Sequence, residues 1–156
     1  MRKLGIIAVL SLMALALAAV PALADSPHFT KASASTDSSG NLVVTFKEAG
    51  LGTTLATEHI TVTADASAVY QCFNNGGKHP KAGNKQTVTA PVSGGGDFAV
   101  RNGSASGSVT VMPPGPGSFS CPPGQDLKFI SVTYSNITIT GSGGEIATVP
   151  STVSWP

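Results

Sequence analysis

Leu127-Lys128-Phe129-Ile130-Ser131-Val132-Thr133-Tyr134-Ser135-Asn136-Ile137-Thr138-Ile139-Thr140 is the longest strand signal in the chain. β-Branched and aromatic residues alternate here with Ser and Thr, which is the period of a half-buried strand and not of a helix. The inward positions are Ile130, Val132 and Tyr134 in the first half, but Ile137 and Ile139 in the second. A strand changes the parity of its buried face only by inserting a residue. A bulge or bend is therefore expected near Ser135-Asn136.

Shorter signals of the same kind lie on the N-terminal side. Leu42 to Phe46, Ile60 to Thr63, Ala68 to Phe73, Thr87 to Val92, Phe98 to Val100 and Ser108 to Val111 read as strands, preceded by a weaker one from Phe29 to Ser35. Asp37-Ser38-Ser39-Gly40, Gly94-Gly95-Gly96 and Asn102-Gly103 punctuate them as turns, and the first of these predicts a hairpin between the first two strands. Lys47 to Thr57 holds at most one helical turn, around Leu55-Ala56-Thr57-Glu58. A last strand is expected from Glu145 to Trp155, with Pro150 confining part of it to a sheet edge. Eight or nine short strands at this spacing predict an all-β fold, a single antiparallel β-sandwich of immunoglobulin-like type.

The N-terminus has a different composition. Arg2 and Lys3 precede an apolar run from Leu4 to Val20, Pro21 breaks it, and Ala22-Leu23-Ala24 supplies a small-residue cleavage site. Residues 1–24 are thus expected to be a cleaved signal peptide and residues 25–156 a single secreted β-sandwich domain, with no stable membrane insertion after cleavage. Over the whole 156 residues, 41% are apolar, 11% are charged and the formal charge is +1. Without the leader, 45 of 132 residues are apolar, and seven Lys/Arg face eight Asp/Glu. That balance excludes an electrostatically driven nucleic-acid binder. Gly, Ser and Thr make up 50 of the 132, so the core is thin.

A thin core gains most from a covalent staple. Cys72 and Cys121 are the only cysteines, and an exported chain meets an oxidising compartment, so a disulfide between them is expected. A catalytic thiol would need one reduced cysteine and a nearby base, and an even count points the other way. Cys121 lies in a proline-rich stretch, which suits a bridge from loop to strand better than one between sheets.

Chemistry-bearing motifs are sparse. No Gly-x-Ser-x-Gly elbow, His-Glu-x-x-His helix or P-loop is present, so no enzyme activity and no catalytic residue is expected. His28, His59 and His79 are dispersed without ligand spacing, and neither a metal nor a cofactor is expected. Two loops carry more. Asn74 to Lys85 places Lys78, Lys81 and Lys85 within eight positions, with His79, on a Gly/Asn frame. Such a loop either is simply solvated or meets an anion through its lysines and backbone N–H groups. Met112 to Gly124 holds five prolines around Phe119 and Cys121. Phe119 either folds back to cap the core or is offered to a partner from a loop with little freedom left to lose.

Tyr70-Gln71-Cys72-Phe73-Asn74-Asn75-Gly76-Gly77-Lys78-His79-Pro80-Lys81, Pro114-Gly115-Pro116-Gly117-Ser118-Phe119-Ser120-Cys121-Pro122 and Lys47-Glu48-Ala49-Gly50-Leu51-Gly52 resemble segments of small secreted proteins of actinomycetes such as streptomycetes. The resemblance covers most of the chain after the leader. It implies a Gram-positive secreted origin, and no activity or site residue comes with it. The expected function is a non-enzymatic binding or structural module at or beyond the cell surface. Lys78, His79, Lys81, Lys85 and Phe119 form its candidate surface, and a cell-wall polymer, another anion or a secreted protein its partner. Two alternatives stand beside it: a protease inhibitor presenting the Pro113–Gly124 loop, and a carrier holding a small apolar ligand between the sheets.

Overall fold

The computed structural model describes residues 26–74, 84–149 and 152–156. Residues 1–24, together with Lys78, His79 and Lys81, therefore lie outside the described residues. Eight strands follow in order: β1 (His28–Thr36), β2 (Leu42–Ala49), β3 (Thr57–Asn74), β4 (Lys85–Ala99), β5 (Ser104–Val111), β6 (Gln125–Thr140), β7 (Ile146–Thr148) and β8 (Val153–Trp155). All pairings are antiparallel. One sheet has the order β1-β2-β5. The other has β4-β3-β6, with β7 and β8 end to end along the far edge of β6.

Each sheet turns one apolar face to the other. Leu42, Val44 and Phe46 of β2 meet Ile60, Val62, Val132, Tyr134, Ile137 and Ile139 of the second sheet in one core. Outward positions are largely Ser and Thr, and they pair across strands, as in Thr45 with Ser108 and Thr133 with Ser154. The β1–β2 turn forms as expected. The Asp37 carboxylate accepts hydrogen bonds from the backbone N–H groups of Ser39 and Asn41 and from the Asn41 side chain, which hold its pKa below the usual range. Across the core, the buried Tyr134 hydroxyl donates to the Gly40 carbonyl at 2.8 Å, tying that turn to β6. Desolvation pushes Tyr134 up to about 12, so the hydroxyl keeps the proton it donates.

The parity switch in β6 is where the sequence places it. Asn136 has φ 52°, and the register against β3 slips between Thr63 and Asp65. Val132 and Tyr134 are buried before the bulge, Ile137 and Ile139 after it. The expected Glu145–Trp155 strand is two short ones, β7 against Thr138–Thr140 and β8 against Val132–Tyr134, on either side of the bulge. A second slip, between Val69 and Tyr70, brings Phe129 opposite Tyr70, so Phe129 takes the core-facing place expected for Ile130. Asn102 and Gly103, with φ 51° and 71°, form a tight turn closed by reciprocal bonds between Arg101 and Ser104.

Two further local expectations are corrected. Ile60–Thr63 and Ala68–Phe73 belong to one strand, β3, in which every second residue from Glu58 to Cys72 is buried. Thr87–Val92 and Phe98–Val100 likewise fall largely within β4, which runs through Gly94-Gly95-Gly96. Tertiary pairing overrides weak strand propensity in both. In β4 the glycines serve close approach, since a Cβ on Gly95 would stand 2.7 Å from the Ile60 carbonyl oxygen. Leu55–Glu58 forms no helical turn, within the expected limit of one, and β3 begins at Thr57.

Candidate functional site

One end of the second sheet carries the two loops singled out in the sequence. Tyr70 and Cys72 continue the inward face of β3 to its last turnings. Cys72 is fully buried and bonded to Cys121, with the Cα atoms 5.6 Å apart. The Tyr70 hydroxyl donates to the Pro114 carbonyl at 2.7 Å. Two successive inward side chains of one strand thus fasten the proline-rich loop near its start and near its end. Within it, the Phe119 N–H donates to the Pro116 carbonyl across Gly117, whose φ of 61° suits glycine. Phe119 itself is half-buried against the core.

The lysine-rich loop leaves from the same place. Its first flank, Asn74, pairs with Gln125, the residue directly after the proline-rich loop. Its second flank, Asn84, donates from its side-chain amide to the Gln125 side-chain oxygen at 2.9 Å. Gln125 therefore joins the bases of both loops, four residues from Cys121. Lys85 is exposed and pairs through its backbone with Gln71. The residues that carry Lys78, His79 and Lys81 are outside the described set, so what the geometry brings together is the two loop bases, Lys85 and the bridge.

The opposite end of β3 holds a cluster that sequence reading missed. Glu48 near the end of β2, Glu58 at the start of β3 and Glu145 in the turn before β7 bring carboxylate oxygens within 4.8 Å of one another. Glu48 and Glu58 are 0% and 1% exposed, and Glu145 is partly exposed. Glu58 is held by the Ser142 backbone N–H at 2.5 Å and by the Ser142 hydroxyl at 2.9 Å. The Glu145 side chain folds back over its own turn onto Gly141, where a Cβ would collide with its Oε1. Neither oxygen of Glu48 has a hydrogen-bond donor. A signal for two of the three was present: Glu48 continues the inward parity of Leu42, Val44 and Phe46, and Glu58 opens that of Ile60 and Val62.

Burial, the adjacent Glu145 carboxyl and the Glu58 carboxylate together push the Glu48 carboxyl up to about 8. The groups facing it are Glu58 from β3 and Glu145 from the β6–β7 turn. Glu48 and Glu145 lie close enough to share one proton, so the lack of a donor applies to the fully ionised pair. The unfolded chain releases the Glu48 proton near 4.5 and the folded chain near 8. Between those values the folded state holds more protons, so stability falls as pH rises through the window. In metal-free buffer the melting temperature is expected to be at least ~5 °C lower at pH 8.5 than at pH 5.5. Glu48→Gln should flatten that slope, whereas a wild-type melting temperature that holds level or climbs would contradict the account.

An open groove of about 410 Å³ lies on the outer side of the β6 bulge, lined by Thr63, Asp65, Pro91, Ser93 and Asn136 among others. Its carboxylate, Asp65, accepts a hydrogen bond from the Asn136 amide at 2.7 Å. Among the described residues, no helix is long and apolar enough to cross a membrane. Comparison with protein-family models, curated proteins and solved structures found no match to the chain.

Proposed function

We propose that the chain is an exported, non-enzymatic binding module that works at or beyond the cell surface through the two loops gathered at the Cys72–Cys121 bridge. The observation that carries this reading is the junction at Gln125, which pairs with Asn74 and accepts from Asn84 beside the bridged loop. Export is supported by the leader-like residues 1–24 and by a disulfide, which persists in oxidising compartments. For topology we propose an immunoglobulin-like sandwich in which the fourth strand has moved from the sheet of strands one, two and five to that of strands three and six.

The partner that fits is an anionic cell-wall polymer. Three lysines within eight positions meet repeated negative charge, and the bridged neighbouring loop limits the ordering cost of contact. The half-buried Phe119 does not favour the inhibitor alternative, which needs that ring presented. Binding of the mature protein to purified anionic wall polymer is expected to weaken about tenfold in Lys78→Ala/Lys81→Ala/Lys85→Ala. It should also weaken with added salt in the wild type. Equal binding by the two proteins at every salt concentration would remove the reading.

A further inference from the structure

We propose that Glu48, Glu58 and Glu145 form a binding site for one calcium ion. The observation beyond the acidic cluster is Glu48 itself, a fully buried side chain aimed into the cluster, with no hydrogen-bond donor from outside the cluster for either oxygen among the described residues. A buried carboxylate left without a partner is among the more costly arrangements in a folded chain. Here Glu48 also faces a second buried carboxylate, Glu58, and a third, Glu145, that is partly exposed. Among the described residues the ion pair present is His59 with Asp97, elsewhere on the surface of β3 and β4, and no cationic side chain pairs with the cluster. A proton shared between Glu48 and Glu145 removes one negative charge of three. A divalent cation removes two and gives each carboxylate an electrophilic partner.

The dimensions and the chemistry point to calcium. Ligand oxygens around calcium stand about 2.4 Å from the ion, so two of them are at most about 4.8 Å apart. The three carboxylates lie within that limit. Their donors are hard oxygens, without the nitrogen or sulfur that would select zinc or copper. Magnesium needs ligands at about 2.0–2.1 Å and keeps most of its water, which suits a carboxylate cage with two buried members poorly. The Ser142 N–H and hydroxyl orient Glu58 through one acceptor position on each oxygen and leave further lone pairs for an ion. Access is from the Glu145 side, where the turn Ser142–Gly144 is exposed.

The site lies 14 residues from Cys72 along β3, roughly 45 Å of extended strand. Its test is therefore independent of the loop surface. Equilibrium dialysis of the metal-stripped mature protein against calcium is expected to give one ion per chain, in the range of about 0.1–1 mM typical of extracellular modules. Melting at fixed pH 8 should rise by several degrees in 10 mM calcium and by less in 10 mM magnesium. Glu145→Gln, on the partly exposed member, should fold and lose about tenfold or more in affinity. Glu48→Gln should melt higher than wild type without calcium and gain nothing from it, a crossing that a purely structural role for Glu48 does not produce. Asp126→Asn, an exposed control, should respond as wild type. The proposal is overturned if dialysis finds no bound calcium at 10 mM, if magnesium raises the melt equally, or if both Gln variants keep the full calcium response.

Discussion

Cys72→Ala/Cys121→Ala is expected to lower the unfolding free energy by about 4 kcal/mol, read as a shift of the urea midpoint at constant protein concentration. The bridge spans 49 residues of sequence and closes the loop that contains β4, β5 and the proline-rich segment. Chain-entropy arguments assign about 4 kcal/mol to a closed loop of that size. Domains of this length are stable by about 5–15 kcal/mol, so the bridge is a large share of the whole. The variant keeps the Tyr70–Pro114 hydrogen bond and the β3–β6 ladder, which need no sulfur. The expected product is a weaker sandwich of the same fold, with the proline-rich loop released at its Cys121 end. A change below about 1 kcal/mol would show that the bridge constrains little.

Phe46→Ala is expected to cost about 3–5 kcal/mol, the range for emptying an aromatic site in a core that cannot collapse around it. Phe46 is 1% exposed and central to the first sheet. Its ring meets Phe29 and Phe98 edge to face, with centroids 6.2 and 4.8 Å away. Gly107, which lies opposite Phe46 in β5, leaves room for the Phe98 ring, because a Cβ there would overlap it. Phe29 and Phe98 are each engaged at the edge of the core, so filling the space would draw a ring out of its own packing. Guanidinium unfolding of the variant checks the figure, and a loss under about 1.5 kcal/mol would mean that the sheets close over the gap.

The parts of the fold readable in sequence are those in which local chemistry and tertiary demand agree. In Leu127–Thr140 each inward residue is large and apolar, so the slip at Asn136 leaves a visible change of phase. Asp37 to Gly40 and Asn102-Gly103 are turns because their side chains or their missing Cβ make them so. β3 and β4 were harder. Ala64 to Ser67 and Gly94 to Gly96 have little strand preference of their own, and pairing fixes them as strands: Ala64 to Ser67 against Thr89 to Val92, with Ala66 and Ser67 also against Tyr134 and Thr133, and Gly94 to Gly96 against Ile60 to Val62. The disulfide and the nearness of the two loop bases follow from a count of two cysteines. The glutamate cluster does not follow from spacing, because Glu145 comes from a distant turn that only the sheet order carries to Glu48 and Glu58.

Whether the bridge makes the two loops one working surface is read from binding to anionic wall polymer. Wild type and Cys72→Ala/Cys121→Ala are compared at a temperature where both are folded, across a series of salt concentrations. The bridge-less protein is expected to bind several-fold more weakly, although its seven lysines and arginines in residues 25–156 are unchanged. Equal affinity with equal salt dependence would contradict it.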